Sequence, residues 1–563
     1  MHGSFLYDID KYIKFAVHRN FPLMVNNIKL KKYQLLLISL LGGILLSISW
    51  PVRGFPFISF IALIPFLFIS DYTVLNKGFS RFAGFVYSYP GFVVWNLLTT
   101  WWIYISTEVG FVLAIGLNSL FMALIIGLYC AVRKVYKGKK IYFALIFFWI
   151  SFEYLHLDWD LSWPWLNLGN VFAAYPKVFQ WYEYTGTFGG TLWVLMVNIL
   201  IYEVLLSFFE KKQAKIKTSR IVLCLIIILL PLTFSFYKYN NYSEKSNPRN
   251  IVVVQPNIDP YNEKFGEMTT SDQLDKLINA AIPLIDSATD YLVCPETSIP
   301  DGIWEGHLNE YLSIKQLRKL ILTYPKLKII IGASTFGMFS EKNKSETARK
   351  YTGENFWYDI YNTGLQIDST DSIQTYHKSK LVPGVEEMPF AKILKPLEKL
   401  AIKLGGMSGT HGVQKERSVL YSRNDSIKIG TAICYESVYG EFLTGYIKKG
   451  AEFIFIITND GWWGNTAGHR QHLQYARLRA VETRRSIARS ANTGISAFIN
   501  QRGDILQQTS WWVTASLKDR LNANNTLTFY VRHGDYIGKI SLIAGLILLL
   551  HSIVLAVINR FKK

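Results

Sequence analysis

The stretch Ile427-Lys-Ile-Gly-Thr-Ala-Ile433 is an apolar run that predicts a buried strand, and Cys434 follows it directly. Residues 436–449 then show a helical pattern, so Cys434 is predicted to lie on a strand-to-helix turn. Such a turn holds a nucleophile clear of the sheet, and the N-terminus of the helix would lower the pKa of a thiol beside it. The stretch therefore predicts an α/β domain that presents a reactive cysteine.

Two further polar residues follow predicted strands. Glu296 ends the stretch Tyr291-Leu-Val-Cys-Pro-Glu296, and Lys378 stands in Tyr376-His-Lys-Ser-Lys-Leu-Val-Pro383. Acyl transfer needs a nucleophile, a proton shuttle and a group that stabilises the oxyanion of the tetrahedral intermediate. Cys434 can attack, Glu296 can carry the proton and Lys378 can hold the oxyanion. A core ion pair for Glu296 and a surface cation for Lys378 are the alternatives, and the three residues together favour catalysis.

Short apolar runs bounded by turn residues recur in the C-terminal half and predict strands. Helical patterns at 271–287 and 314–323 separate some of them, so this region predicts an α/β layered domain. The predicted strands are residues 251–254, 290–293, 328–331, 362–366, 427–433, 452–457, 494–499 and 526–531.

Half of the 563 residues are hydrophobic, which indicates membrane spans beside a soluble domain. Crossing a bilayer takes about 20 apolar residues, and about eight stretches approach that length. We expect a membrane α-helical bundle in residues 1–237, a catalytic domain in 238–536 and a last membrane helix with a basic tail in 537–563. The expected spans are 34–50, 56–72, 82–105, 111–132, 141–157, 192–209, 221–237 and 537–558.

Lysine and arginine are concentrated in alternate loops between these spans. Because basic residues near span ends stay on the cytoplasmic side, this pattern places the segment 238–536 outside the cytoplasm. Much of the formal net charge of +19 therefore reflects topology, and we expect no nucleic-acid partner. Within the outer segment, residues 390–404 mix lysines with leucines and isoleucines, which fits either an amphipathic arm on anionic lipid or a surface helix packed on the domain.

We expect neither a metal nor a cofactor. His469 and His472 have a spacing that could place two ligands on one helix face, but no third ligand is grouped with them. Cys294 is expected to pack in the sheet. A bridge from Cys294 to Cys434 is not favoured, because it would consume the thiol best placed for chemistry.

The order Glu296, Lys378 and Cys434, each at the end of an apolar strand, resembles the nitrilase superfamily over roughly residues 250–531. Further motifs, together with the spans, narrow the resemblance to the apolipoprotein N-acyltransferases, which join several membrane spans to an outward-facing nitrilase domain. The stretches that carry it are Val254-Gln-Pro-Asn-Ile258, Pro295-Glu-Thr-Ser-Ile-Pro-Asp301, Tyr376-His-Lys-Ser-Lys-Leu-Val-Pro383, Cys434-Tyr-Glu436, Thr458-Asn-Asp-Gly-Trp-Trp-Gly464, and Gln471-His-Leu-Gln-Tyr-Ala-Arg-Leu-Arg-Ala480 with Glu482.

The resemblance implies an αββα sandwich in which Glu296, Lys378 and Cys434 are catalytic through a thioester, with Glu386, Tyr435 and Glu436 supporting the site. The chain departs from the family in two places. The family's Val-Pro-Phe-Gly-Glu is here Val382-Pro-Gly-Val-Glu386-Glu387, without the aromatic residue. Phe265 stands near the position where the family tends to have a tryptophan. This difference bears on contacts with the acceptor or the acyl chain more than on the chemistry.

The implied function is transfer of an acyl chain from a membrane glycerophospholipid, through Cys434, to the α-amino group of an S-diacylglyceryl cysteine on a lipoprotein. This implies a multi-pass protein of the bacterial inner membrane with its catalytic domain on the periplasmic side, and we expect a monomer. Two other classes are considered: a membrane-tethered amidohydrolase of the nitrilase type, in which water resolves the thioester, and a membrane receptor or scaffold without chemistry. The intact trio argues against the scaffold, and the spans and aromatic loops favour an amine over water.

Overall fold

The computed structural model describes residues 28–136, 141–209, 214–390, 410–422 and 425–561. Apart from Phe390, the segment 390–404 that was expected to form an amphipathic arm or surface helix lies outside the described residues. Part of the basic loops after the fourth and sixth expected spans, and the last two lysines, also lie outside them.

Long apolar helices make up the N-terminal part and the C-terminal end. Among the described residues, six helical segments are long and apolar enough to cross a membrane: Lys32–Ser49, Pro56–Leu75, Glu108–Val135, Thr187–Phe208, Lys217–Asn241 and Tyr536–Phe561. Helices Ala83–Thr100 and Tyr142–Leu155 occupy the other two expected spans. The latter has 14 residues, about 21 Å at about 1.5 Å per residue, so it is shorter than a hydrocarbon core of about 30 Å.

The α-helices of this part lie before the central domain, except for the last one, which follows it. Their bounds are Lys32–Ser49, Ser59–Ala62, Ile64–Leu75, Ala83–Thr100, Ile103–Ser106, Glu108–Val135, Tyr142–Leu155, Tyr182–Thr185, Thr187–Phe209, Ala214–Asn241 and Tyr536–Phe561.

A buried ion pair joins four of these helices. Arg133 Nη2 lies 2.5 Å from Asp71 Oδ1, and the hydroxyls of Tyr142 and Tyr202 donate to Asp71 Oδ2 at 2.6 Å and 3.0 Å. An unpaired charge in an apolar bundle is costly, so each of these polar groups requires the others. The cluster therefore fixes the relative positions of helices Ile64–Leu75, Glu108–Val135, Tyr142–Leu155 and Thr187–Phe209.

The central domain contains two sheets. The larger has the strand order β14-β1-β2-β4-β6-β5, with β3 beside β4 and β7 beside β6, and the smaller has the order β13-β12-β11-β10-β9-β8. The strands are β1 (Pro248–Gln255), β2 (Tyr291–Val293), β3 (Ile299–Trp304), β4 (Lys328–Phe339), β5 (Arg349–Lys350), β6 (Trp357–Ile367), β7 (Gln374–His377), β8 (Leu420–Tyr421), β9 (Lys428–Ile433), β10 (Phe453–Thr458), β11 (Ser486–Ala491), β12 (Ala497–Ile499), β13 (Ile505–Gln508) and β14 (Ala515–Asn522).

Side-chain alternation in β1 shows how the layers are built. Ile251 and Val253 join the core that also contains the apolar residues of β9 and β10, whereas Val252 and Val254 join a second core beneath the helices Thr270–Ala281 and Leu312–Thr323. Successive residues of a strand point to opposite faces, so a strand covered on both sides is apolar throughout. Helices Gly440–Lys448 and Ala467–Thr483 pack against the smaller sheet. The αββα sandwich is thereby confirmed.

The predicted strand at 526–531 is wrong. Thr528 caps the helix Phe529–His533, and its hydroxyl accepts a hydrogen bond from the backbone N–H of Val531 at 3.1 Å. The strand of that region is instead β14, which pairs antiparallel with β1. β14 forms the edge of the larger sheet and is half exposed, so its sequence is polar and has no apolar run.

Helix Ala467–Thr483 connects the sandwich to the membrane part. The Trp50 indole donates to the Tyr475 hydroxyl at 3.1 Å, and the Trp165 indole donates to Gln471 Oε1 at 2.7 Å. The Gln471 side chain in turn donates to the backbone carbonyl of Thr99 at 3.3 Å. Because these bonds are buried, they set the position of the central domain relative to the bundle.

Candidate active site

Glu296, Lys378 and Cys434 meet between the two sheets. Glu296 lies in the turn after β2, Lys378 directly follows β7 in the same sheet, and Cys434 directly follows β9 in the opposite sheet. Lys378 Nζ lies 3.0 Å from Glu296 Oε1. All three side chains are buried, so their charges act in a medium that screens them weakly.

The carboxylate of Glu296 is held by three donors. Lys378 Nζ and the Asn362 amide, the latter at 2.7 Å, both donate to Oε1. The backbone N–H of Asn459 donates to Oε2 at 3.0 Å. These bonds fix the direction of the carboxylate, which a proton shuttle requires.

Lys378 is shared between two carboxylates. Its Nζ also lies 2.8 Å from Glu386 Oε1. Burial disfavours the charge of Lys378, but Glu296 and Glu386 outweigh burial and hold its pKa well above the usual value. Burial likewise opposes the charge of Glu386, but the Lys378 ammonium lowers the pKa of this carboxyl below its usual value. The altered sequence after Pro383 therefore still brings Glu386 to the lysine.

Cys434 lies in a left-handed backbone conformation, with φ of 51°. It begins a single 3₁₀ turn, Cys434–Val438, and the α-helix begins only at Gly440. Burial, reinforced by the Glu296 carboxylate, raises the pKa of the Cys434 thiol, and the charge of Lys378 opposes this only in part. The expectation that a helix N-terminus lowers this pKa is therefore wrong. Deprotonation of the thiol requires a base.

Glu436 connects the turn that carries Cys434 to the turn that carries Lys378. Its carboxylate accepts hydrogen bonds from the backbone N–H groups of Ile433 at 2.8 Å and Ser379 at 2.6 Å, and from the Tyr376 hydroxyl at 2.7 Å. Burial raises the pKa of Glu436 to about 7, although these hydrogen bonds oppose the shift. Because Ser379 directly follows Lys378, Glu436 holds the two turns in a fixed relation.

Comparisons with known proteins found similar structures and matching family models. Among solved structures, an amidase of Nesterenkonia AN1 from the nitrilase superfamily is 15% identical and covers 51% of this chain and 95% of its own, with a TM-score of 0.33. The family model for carbon-nitrogen hydrolase matches residues 251–520, and the model for the apolipoprotein N-acyltransferase N-terminal domain matches residues 42–200.

Full-length relatives match both regions together. An apolipoprotein N-acyltransferase of Chlorobaculum tepidum is 28% identical over 91% of this chain and 96% of its own. Another, of Geobacter metallireducens, is 26% identical over 89% of this chain and 91% of its own. The chain belongs to the apolipoprotein N-acyltransferase family. It is therefore an acyltransferase with several membrane-spanning helices.

Tyr435 links the site of this family member to its membrane part. Its hydroxyl donates to the backbone carbonyl of Ser162 at 3.0 Å, and its ring stacks on Trp163 with 6.3 Å between centroids. Ser162 also bonds the hydroxyl of Tyr439 at 2.9 Å. The loop that follows helix Tyr142–Leu155 thus lies against the turn that carries Cys434.

Two residues that sequence reasoning missed lie close to the trio. Asn362 Nδ2 donates to both Glu296 and Glu386, the latter at 3.2 Å. Lys264 is buried, and its Nζ donates to the backbone carbonyl of Glu296 at 2.9 Å. Burial lowers the pKa of Lys264 to about 8, with Glu296 and Cys434 opposing the shift. Its neighbours in Asn262-Glu-Lys-Phe-Gly266 are mostly those of a surface loop, so no pattern in the sequence indicates that Lys264 is buried beside the site.

The two histidines of helix Ala467–Thr483 do not converge. The ring of His469 stacks on Trp511 with 4.0 Å between centroids. His472 Nδ1 instead lies 3.0 Å from Asp460 Oδ1. Within the described residues, no group of three or more His, Cys, Asp or Glu side chains could hold a metal ion.

The raised thiol pKa predicts how Cys434 reacts with an alkylating reagent. Because the neutral thiol predominates at pH 7 to 8, we expect slow alkylation by iodoacetamide that accelerates by about tenfold per pH unit and has no plateau below pH 9. Intact-protein mass against time at each pH measures the rate. A plateau reached below pH 8 would mean that the resting enzyme already holds a thiolate.

Proposed function

We propose that this acyltransferase takes an acyl chain from a membrane glycerophospholipid, holds it as a thioester on Cys434, and passes it to the α-amino group of an S-diacylglyceryl cysteine on a lipoprotein. The observation that carries the proposal is the convergence of Glu296, Lys378 and Cys434 in a buried site whose nucleophile turn contacts the membrane part through Tyr435. Membership of the family supplies the type of acceptor.

In the first half of the reaction, Glu296 removes the proton of the Cys434 thiol, and the sulfur attacks the ester carbonyl carbon of the phospholipid. Lys378 stabilises the oxyanion of the tetrahedral intermediate, since its raised pKa keeps it charged throughout. The C–O bond of the ester then breaks, and Glu296 returns the proton to the departing alkoxide. The products are a lysophospholipid and the thioester.

In the second half, the α-amine of the lipoprotein attacks the thioester carbonyl. Glu296 takes a proton from the attacking nitrogen and returns it to the Cys434 sulfur when the C–S bond breaks. Lys378 stabilises the second oxyanion as it did the first. The same three groups therefore serve both halves, and the thioester formed between them predicts ping-pong kinetics.

The membrane part brings the two lipid substrates to the site. Both substrates are held in the bilayer, so a site fixed at its surface meets them at a raised effective concentration. The alternating basic loops favour an inner-membrane protein with the domain at 238–536 on the periplasmic side, residues 1–237 as the bundle and 537–563 as the last helix and tail. The proposed unit is a monomer.

The runner-up is an amidohydrolase, in which water resolves the thioester. It needs the same three residues, so the site alone does not separate the two reactions. The full-length relatives are named as N-acyltransferases, and this does not favour the runner-up.

The deciding experiment measures intact protein mass in two steps. Purified enzyme is incubated with phosphatidylethanolamine, and a diacylated lipopeptide with a free α-amine is then added. We expect an increase by one acyl mass, followed by its loss and the appearance of N-acylated peptide. An N-acetylated lipopeptide is the matched control, and it should leave the adduct in place. Discharge to free fatty acid with either peptide would contradict the transferase and support the hydrolase.

A further inference from the structure

His472 lies directly behind the nucleophile and is fully buried. Its Nε2 atom is 2.8 Å from Ser437 Oγ and 3.2 Å from the backbone carbonyl oxygen of Cys434. The Ser437 hydroxyl also donates to that carbonyl, at 2.7 Å. The Ser437 hydroxyl has one proton and donates it to the Cys434 carbonyl. Nε2 of His472 is therefore the donor toward Ser437 Oγ and the Cys434 carbonyl oxygen.

The other side of the ring is anchored in the smaller sheet. His472 Nδ1 lies 3.0 Å from Asp460 Oδ1 and 3.2 Å from Arg489 Nη2, and Asp460 Oδ1 also accepts from the Thr458 hydroxyl at 2.7 Å. Arg489 of β11 pairs with Asp460 Oδ2. All these groups are buried, so their hydrogen bonds are shielded from bulk solvent.

The held carbonyl belongs to the peptide unit that directly follows the nucleophile. The Cys434 carbonyl and the Tyr435 N–H share one plane and point in opposite directions. Fixing the carbonyl therefore fixes the first backbone donor after the nucleophile, the position that commonly contributes to an oxyanion hole. The left-handed φ of Cys434 is a strained conformation that persists only when its surroundings hold it.

The helix that carries His472 is also the helix that rests on the membrane part. Gln471, the adjacent residue, bonds Trp165 and the Thr99 carbonyl, and Tyr475, three residues further, bonds Trp50. We propose that His472 is a positioning residue that holds the nucleophile turn in register with the membrane bundle. It acts through the Cys434 peptide and does not touch the substrate.

Two substitutions separate this role from simple packing. In His472→Gln the side-chain amide can reach the position of ring Nε2 and donate to the nucleophile turn. In His472→Asn the shorter amide reaches only the position of Nδ1 and keeps the bond to Asp460. A displacement of about 1 Å in a catalytic group can cost about 100-fold in rate. We expect the single-turnover rate of acyl loading from phosphatidylethanolamine to fall about 100-fold in H472N and to recover to within about fivefold of wild type in H472Q.

The KM for phosphatidylethanolamine should stay within about twofold in both variants, because no substrate contact is lost. His469→Gln is the matched control: His469 is a buried histidine on the same helix, and its ring stacks on Trp511. Its loading rate should match wild type even if its thermal midpoint falls. Equal loading rates in H472N and H472Q, or a larger loss in H472Q, would overturn the proposal.

Ser437→Ala tests the same contact if the histidine variants do not fold. It removes the Ser437 hydroxyl, which is the nearer of the two contacts that His472 Nε2 makes with the nucleophile turn, and leaves the Asp460 side intact. We expect a loss of loading rate at unchanged KM. An unchanged rate in S437A would also overturn the proposal.

Discussion

Replacing Cys434 by alanine should abolish acyl loading. The sulfur forms the only covalent bond between enzyme and acyl chain in the proposed mechanism, and the loss of a covalent nucleophile lowers the rate by at least about 10⁴-fold. Intact-protein mass after incubation with phosphatidylethanolamine is the measurement, and the variant should gain no acyl mass. The N-acylated peptide should likewise be absent when the lipopeptide is added.

Cys294→Ala is the matched control for this experiment. Cys294 is fully buried, lies two residues before Glu296, and packs in the core between the larger sheet and its helices. Its removal leaves a small cavity, so we expect a modest loss of stability and a loading rate close to that of wild type. Acyl transfer that persists in C434A would end the thioester mechanism, whatever C294A does.

Replacing Lys378 by methionine should lower both activity and stability. The ammonium is the shared partner of Glu296 and Glu386, and its loss leaves two buried carboxylates against each other. Removing one partner of a buried ion pair costs about 3 to 5 kcal/mol of the free energy of unfolding. Loss of the charge that stabilises the oxyanion lowers the rate by a further factor of about 10² to 10³. Thermal unfolding in detergent and the single-turnover loading rate measure the two effects.

A second substitution separates these effects. In the double variant Lys378→Met with Glu386→Gln, one of the two excess negative charges is removed, so much of the lost stability should return. Activity should stay low, because nothing replaces the oxyanion partner. If stability and activity returned together, Lys378 would be a structural cation rather than a catalytic one.

The predicted turn at Cys434 was placed correctly because β9 is covered on both faces. Residues 429–433 are all buried, so the strand is a continuous apolar run that stops where the nucleophile begins. Strand β2, which precedes Glu296, is likewise buried along its whole length. Edge strands carry no such signal: β14 is polar and was missed, while the apolar residues near Val531 form a short helix instead.

The sequence pattern around Cys434 predicted the wrong direction for the pKa shift of its thiol. The sequence places a helical pattern after Cys434, which favours a lowered pKa. The structure inserts a 3₁₀ turn before the helix and buries the thiol next to Glu296. Desolvation and a neighbouring carboxylate then raise the pKa. The sequence near Cys434 does not indicate that Glu296 is its neighbour, because Glu296 lies 138 residues earlier in the chain.

The sequence by itself determined the apolar spans, the layered α/β pattern and the three residues at strand ends, since each depends on periodicity or on a short motif. Only the tertiary structure decided that Lys378 is shared by Glu296 and Glu386, that Lys264 and Asn362 border the site, and that His472 lies behind the nucleophile. Most of these contacts join segments that are distant in the chain. They form because strands of the larger sheet end side by side and the smaller sheet packs against them, so that strand ends from separate parts of the sequence meet in one buried space.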